Sequence, residues 1–502
     1  MWVAIYYLFS YVVFFYTLVS MIAMVILGYQ SFRAQKRFIV NVPDDDSIRY
    51  TLRSSPITPS VSIIAPAFNE SKTILDNVYS MLEVHYPNYD IIVVNDGSTD
   101  DTLEILIKEF KLEPIPFINQ KKVPSQPIKK VYRSTDEKFN QITVVDKEPG
   151  GHKSDSVNAG LNICNSRYFL STDVDCIIEP MALYRMMWQV VNSHDRMIGV
   201  GATMLMLNGC TVKDGKVVEA RVSNNPAPLF QQLEYMRSYL VGKMGWSSFN
   251  TLPNISGGFG LFDTEVVVKS GGYDPVSLAE DMDLLLRTIT YMINSGQKFR
   301  LAQIPQVCCW TEGPYNLRLL YRQRIRWARG LCEIISHHRK LFFNYNFGRM
   351  GLGTLPYVFI FEFLAPIIEV SGFFFMIWLV LINAVNWTTA LVIFGMIYIF
   401  SLSLTFLVLV YDYMVKAVKW KSKIKSYLKL IIAGILEPFL FHPIITVCSI
   451  VGYFNFLRNR GKEWKKIHRR GARKKKPAKE EVPPEETHQP MSEAEFEQNP
   501  NA

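Results

Sequence analysis

Two aspartates, Asp173 and Asp175, follow the short apolar run Tyr168–Ser171 in the order Thr172-Asp173-Val174-Asp175. Carboxylates at that spacing can approach one hard cation, directly or through water, with a diphosphate completing an oxygen shell. The pattern is weak by itself, because capping and chance produce it too. Acids and hydroxyls follow two other apolar runs: Asn69 and Glu70 after Val61–Ala65, and Asp96 within Asn95-Asp96-Gly97-Ser98 after Asp90–Val94. Glu280 and Asp281 open an amphipathic stretch, Asp281–Asn294. That pair reads either as compensation of a helix dipole or as a general base. Gly150-Gly151-His152-Lys153-Ser154 suits an anion at a helix N-terminus, and an ordinary capped helix start looks the same. Gln323-Arg324-Ile325-Arg326-Trp327 sits in Tyr315–Lys340, a basic amphipathic stretch. Such a helix can lie on a membrane surface and press one face against an enzyme. No G-x-G-x-x-G or P-loop pattern occurs, which argues against a dinucleotide cofactor and a P-loop nucleotidase.

These residues need a frame. Val61–Ala65, Asp90–Val94, Ile142–Val145, Tyr168–Ser171 and Ile198–Leu205 read as strands. Ser71–Val84, Asp101–Lys111, Ser154–Cys164 and Pro180–Asn192 read as helices. Alternation of buried-looking strands with helices predicts an α/β fold with a mostly parallel sheet. Ligands of such sheets bind beyond the carboxyl ends of the strands, where the acids stand.

The chain has 502 residues, 49% hydrophobic and 20% charged, and a net charge of +9. Apolar residues gather towards the two ends, which excludes a purely soluble protein, a wholly disordered one and a carrier with spans throughout. Trp2–Leu27 carries no charge and is long enough to span a bilayer. Arg33, Lys36 and Arg37 follow it and predict an outer N-terminus and a cytosolic continuation. Leu355–Ile382 and Thr388–Tyr411 read as two further spans, joined by Asn383–Trp387, with Lys416–Lys425 back in the cytosol. Tyr427–Leu457 is interrupted by Glu437-Pro438 and His442-Pro443. The basic segment from Arg458 requires this stretch to be a broken hairpin or partly interfacial if its end is cytosolic. Glu362, Glu369 and Glu437 lie in apolar surroundings and read equally as the lining of a substrate route or as helix–helix contacts.

The domain division expected is a transmembrane anchor over 1–30, a cytosolic domain over 38–345 including an interfacial helix over 315–340, a membrane domain over 352–457, and a basic then acidic disordered tail over 458–502. The basic charge reads as contact with membrane lipids, not nucleic acid. The seven cysteines form no C-x-x-C pair and read as buried structural thiols.

Taken in order, Pro66–Glu70, the acid of Asn95-Asp96-Gly97-Ser98, the Asp173/Asp175 pair, Glu280-Asp281 and Gln323-x-x-Arg326-Trp327 resemble the family-2 inverting glycosyltransferases. More narrowly, the chain resembles the membrane-embedded processive β-polysaccharide synthases, the poly-N-acetylglucosamine, hyaluronan, chitin and cellulose synthase group. The resemblance covers roughly 58–345. It implies a Rossmann-like nucleotide-sugar-binding domain flanked by transmembrane helices, in a multi-pass protein of the plasma (inner) membrane. It implies a UDP-sugar donor, a growing polysaccharide or lipid-linked acceptor, and Mg2+ or Mn2+. An accessory secretion partner is compatible with it.

Residue by residue, the resemblance assigns Asp96 to the uracil or ribose, and Asp173 and Asp175 to the metal-bound diphosphate. Asn69, Glu70 and Lys153 join the donor site. Asp281, with Glu280 beside it, becomes the general base. Gln323 and Arg326 face the leaving diphosphate, Trp327 stacks on the acceptor sugar, and Gly257-Gly258 belongs to an acceptor loop. The chain departs from the family in three places. The first acid motif reads Asn-Asp-Gly-Ser, Glu113–Asn140 looks like an insertion without a role, and no cyclic-dinucleotide domain follows the spans, which weakens a cellulose assignment. The expected function is processive synthesis with translocation; single transfer to a lipid acceptor is the alternative, and a catalytically dead scaffold a third reading.

Overall fold

The computed structural model describes residues 2–56 and 58–458, with side chains from residue 7. The tail expected over 458–502 lies, from residue 459, outside the described residues. One ten-stranded sheet organises the middle of the chain. Its spatial order is Leu112–Ile115, Ile128–Ser134, Ile142–Lys147, Tyr89–Asn95, Val61–Ala67, Tyr168–Thr172, Phe259–Asp263, Arg196–Met206, Phe299–Thr311 and Ile177–Ile178. The four strands from Ile142–Lys147 to Tyr168–Thr172 run parallel. They are the α/β core that the apolar runs predict. All five residues of Tyr168–Thr172 are buried, as fits a strand covered on both faces.

Register brings the chemistry together. Ala67, Asn95 and Asp146 lie side by side in pairing, so the loops that follow the first two strands leave the sheet at one edge. Phe259–Asp263 runs antiparallel to Tyr168–Thr172 with Phe259 opposite Thr172. Gly257 and Gly258 therefore arrive at the edge where Asp173 departs, and the Asp173 N–H donates to the Gly258 carbonyl at 3.2 Å.

The stretch Glu113–Asn140 is more than an insertion. Leu112–Ile115 and Ile128–Ser134 extend the sheet by an antiparallel pair. The segment between them straps the Lys153–Ile163 helix. Val123 N–H donates to Asn162 at 3.0 Å, Gln126 N–H to Asp155 at 2.9 Å, and Asn158 donates to Pro124 O at 2.8 Å.

The N-terminal helix runs unbroken from Trp2 to Asn41, past the expected end of the anchor at residue 30. The reason is its docking: Ser31 and Gln35, both buried, donate to the Leu240 carbonyl at 2.5 and 2.7 Å. Among the described residues, three helices are long and apolar enough to cross a membrane: Tyr7–Asn41, Met350–Leu381 and Trp387–Val415. Lys423–Leu440 and His442–Leu457 form a pair bent by 49°. The bend lies between Pro438 and Pro443, where proline withholds a helical N–H and disfavours helix before it. All seven cysteines are free and buried.

Candidate active site

A cavity of about 710 Å3 opens at the acid-bearing sheet edge. It is lined by Glu70, Asp96, Lys153, Asp173, Asp175, Gly257, Gly258, Glu280, Asp281, Gln323, Arg326 and Trp327. Of the site residues that the resemblance assigns, Asn69 alone does not line it. Asn69 adopts φ 53°, and its side-chain oxygen accepts the Thr99 N–H at 2.8 Å. It fastens the Pro66–Glu70 loop to the Ser98–Thr99 turn.

Asp96 is 7% exposed. Its carboxylate accepts the Gly150 N–H at 2.8 Å and pairs with Lys147. Lys147, wholly buried, also holds Asp155 at 2.6 Å. One buried ammonium thus fixes two carboxylates, which satisfies charges that burial would otherwise make costly. Sequence reading missed Lys147, because a lysine closing a strand resembles a solvent-facing end.

Asp173, Asp175 and Cys176 each offer a ligand atom within 4.8 Å of one another, a grouping able to hold a cation. Lys153 stands against Asp173 at 2.5 Å and donates to the Gly257 carbonyl. Burial opposes its charge, yet Asp173 and Glu280 hold the Lys153 ammonium above its ordinary pKa. The lysine therefore stays cationic beside the acids.

Asp281 is oriented from both sides. One oxygen accepts from Asn254 at 2.9 Å and from the Gly257 N–H at 3.1 Å, and the other accepts the Met282 N–H at 2.8 Å. Asn254 is a further residue that no sequence motif announced. Burial, and then the charge of Asp281, push the Glu280 carboxyl up, while Lys153 and Arg326 pull it down. The two acids are thus electrostatically distinct: one held by donors, the other disfavoured as an anion.

The Leu317–His337 helix supplies the third wall. Arg324 makes a two-pronged pair with Glu234 at 2.6 and 2.5 Å, and its guanidinium lies 4.5 Å from the Trp327 ring centroid. Gln323 accepts from Gln231 at 2.9 Å. Arg324 and Glu234 thereby set the orientation of Trp327 and escaped the sequence reading, which assigned only Gln323, Arg326 and Trp327. The same cavity is also lined by Lys243, Glu362, Ser449 and Tyr453, on or beside the apolar helices. The three apolar-block acids separate: Glu437 pairs with Arg237, Glu369 accepts from His442 and Thr446, and Glu362 lines the cavity.

The description "Glycosyl transferase family 2" matches residues 62–123, and "Glycosyl transferase family group 2" matches residues 220–411. The chain is 27% identical over 290 residues to the probable glycosyltransferase YdaM of Bacillus subtilis (strain 168), covering 57% of this chain and 58% of that protein. It is 25% identical over 295 residues to the poly-beta-1,6-N-acetyl-D-glucosamine synthase of Staphylococcus aureus (strain COL), covering 57% of this chain and 60% of that protein. The chain thus spans less than two thirds of the length of these curated relatives. A solved mannosyltransferase from Pyrobaculum calidifontis, in complex with GDP-Man and Mn2+, is 15% identical with a TM-score of 0.43, covering 88% of this chain and 99% of that one.

Proposed function

Because the chain carries family-2 glycosyl transferase domains, we propose that it is an inverting hexosyltransferase that uses a UDP-sugar to extend a β-linked polysaccharide at the membrane, with coupled translocation. The observation that carries this reading is the arrangement of Asp281. Its carboxylate, held by Asn254 and Gly257, shares one cavity with the Asp173/Asp175 acids, and that cavity runs on to Trp327 and the apolar helices.

The acceptor hydroxyl attacks the anomeric carbon from the face opposite the diphosphate. Its proton passes to Asp281, the new carbon–oxygen bond forms, and the bond to the diphosphate breaks with inversion. Lys153, Arg326 and Gln323 meet the departing diphosphate, where cations and donors stabilise the charge that develops. Asp96, fixed by Lys147, meets the nucleoside. Trp327 offers an aromatic face to the acceptor sugar. Asp173 and Asp175 suit Mg2+ or Mn2+, which when bound neutralises diphosphate charge. Asp281→Asn should abolish transfer and leave UDP affinity nearly intact.

The test is a panel of UDP-glucose, UDP-N-acetylglucosamine and UDP-glucuronate, with the full chain in detergent and products sized by mass spectrometry. A product ladder with one donor, lost on chelation of divalent cations, is the expected result. A product that stops at one added sugar favours single transfer to a lipid-linked acceptor. Turnover that persists with a chelator refutes the metal assignment.

A further inference from the structure

Two stretches of π-helix, Ser238–Lys243 and Val358–Phe363, border the cavity on its membrane side. A π-turn is uncommon and recurs at functional sites, because the extra residue re-aims a side chain. Each of these turns carries one group of ordinarily charged type to the same cavity: Lys243 on the first, Glu362 on the second. Lys243 is 6% exposed, and its ammonium lies 4.7 Å from the Tyr239 ring centroid. Burial depresses its pKa to about 8, against the opposing pull of Asp281 and Glu362. Among the described residues it has no hydrogen bond or close ion pair, although it is more than nine-tenths buried. A buried ammonium left so is costly unless a ligand completes it. Glu369 and Glu437 are already occupied by His442, Thr446 and Arg237, whereas Glu362 lines the cavity.

We propose that Lys243 and Glu362 form an acceptor subsite for a neutral, hydroxyl-rich sugar unit on the membrane side of Asp281. The Lys243 ammonium donates to ring or acyl oxygens of that sugar, and the Glu362 carboxylate accepts from its hydroxyls. The two charges cancel, so a uronate or a free amine would satisfy one and leave the other opposed. The subsite rests on the reading of Asp281 as the transfer centre. Lys243 and Glu362 are positioning residues, since they hold the acceptor and touch no reacting atom.

The test uses the full chain in detergent, UDP-N-acetylglucosamine as donor and a β-linked N-acetylglucosamine pentamer as acceptor. Lys243→Gln and Glu362→Gln should each raise the acceptor KM about tenfold, the loss of one hydrogen bond to a charged group. The donor KM should stay within about twofold, a split that general unfolding would not produce. An unchanged acceptor KM, or equal rises for donor and acceptor, overturns the subsite. A second measurement needs neither a variant nor turnover. The pentamer, and not UDP, should slow amine-directed labelling of Lys243 in the wild-type chain, read by peptide mass spectrometry. Labelling unaffected by the pentamer overturns the proposal. A uronate-containing oligomer that protects equally overturns its neutral-sugar specificity. Absence of transfer from every UDP-sugar would sink the transferase reading, while the labelling still decides the subsite.

Discussion

Asn95 explains at the scale of one residue why the first acid motif departs from the family. Its side-chain amide donates to Asp146 at 2.7 Å, and its oxygen lies 3.4 Å from the Ser98 N–H. A carboxylate there would face Asp146 with no proton to share. Asn95→Asp is expected to cost about 1–3 kcal/mol, seen as a lowered melting midpoint, and Asn95→Asp with Asp146→Asn should recover most of it. Lys243 carries a stability prediction with a definite sign. Its pKa falls from 10.5 to about 8 on folding, a difference of roughly 3 kcal/mol against the folded state. Below pH 8 both states are protonated and the whole cost is present. Between pH 8 and 10.5 the unfolded chain binds more protons than the folded one, so stability rises with pH. Lys243→Met should therefore melt higher than wild type at pH 7, with the gap closing towards pH 10. A gap that is flat with pH would refute the buried-cation account.

Among the elements, the Leu317–His337 helix is wedged between the site and the membrane side. A Cβ at Gly330 would come within 2.9 Å of the Ala279 Cβ, next to Glu280 and Asp281. A Cβ at Gly452, on the His442–Leu457 helix, would lie 3.0 Å from the Ile325 carbonyl oxygen. Gly330→Ala sets two effects against each other. Helix propensity favours alanine by about 1 kcal/mol, while overpacking costs typically 1–3 kcal/mol. Because Ala279 has no flexible end to yield, overpacking wins. The variant should melt lower and lose kcat through displaced acids, with UDP affinity retained; a raised melting midpoint would contradict this packing. The parallel strands were legible because each is an apolar run that stops at an acid or a turn residue. Phe299–Thr311 was not, because Pro305 and two register shifts break its alternation between Ile304 and Cys309. Lys147, Asn254 and Lys243 were also illegible. Asp96, which Lys147 holds, and Asp281, which Asn254 holds, lie far off in sequence, and the π-turn that carries Lys243 leaves no periodic signature.

For the whole molecule, the topology turns on the bent pair. Its first half meets the sheet domain where Lys429 donates to Val222 O at 3.1 Å and to Asn224 at 2.5 Å. Its bend meets the same domain, with Phe441 stacked on Phe230 at 5.2 Å and beneath the Arg324 guanidinium. Its second half packs at Gly452 against Ile325 and Ala328. Start, bend and end thus all touch the sheet domain, while Phe439 at the bend also packs against Phe394 and Tyr398 of Trp387–Val415; we infer a broken hairpin that enters and leaves on one side. On that reading the candidate crossings among the described residues are three, Tyr7–Asn41, Met350–Leu381 and Trp387–Val415. An odd number carries an outer N-terminus to a cytosolic end, which reconciles Arg33, Lys36 and Arg37 with the basic segment from Arg458. The Lys416–Lys425 loop supports the same count, since the Lys421 N–H donates to Ala220 O of the sheet domain at 3.0 Å. Ala384→Cys, in the exposed loop after Leu381, should react with an impermeant maleimide on intact cells. Lys419→Cys, exposed beside the sheet domain, should react only after permeabilisation. The seven native thiols are buried and give little background. Labelling of Lys419→Cys from outside would place the sheet domain, and with it the donor site, on the wrong side for a nucleotide sugar.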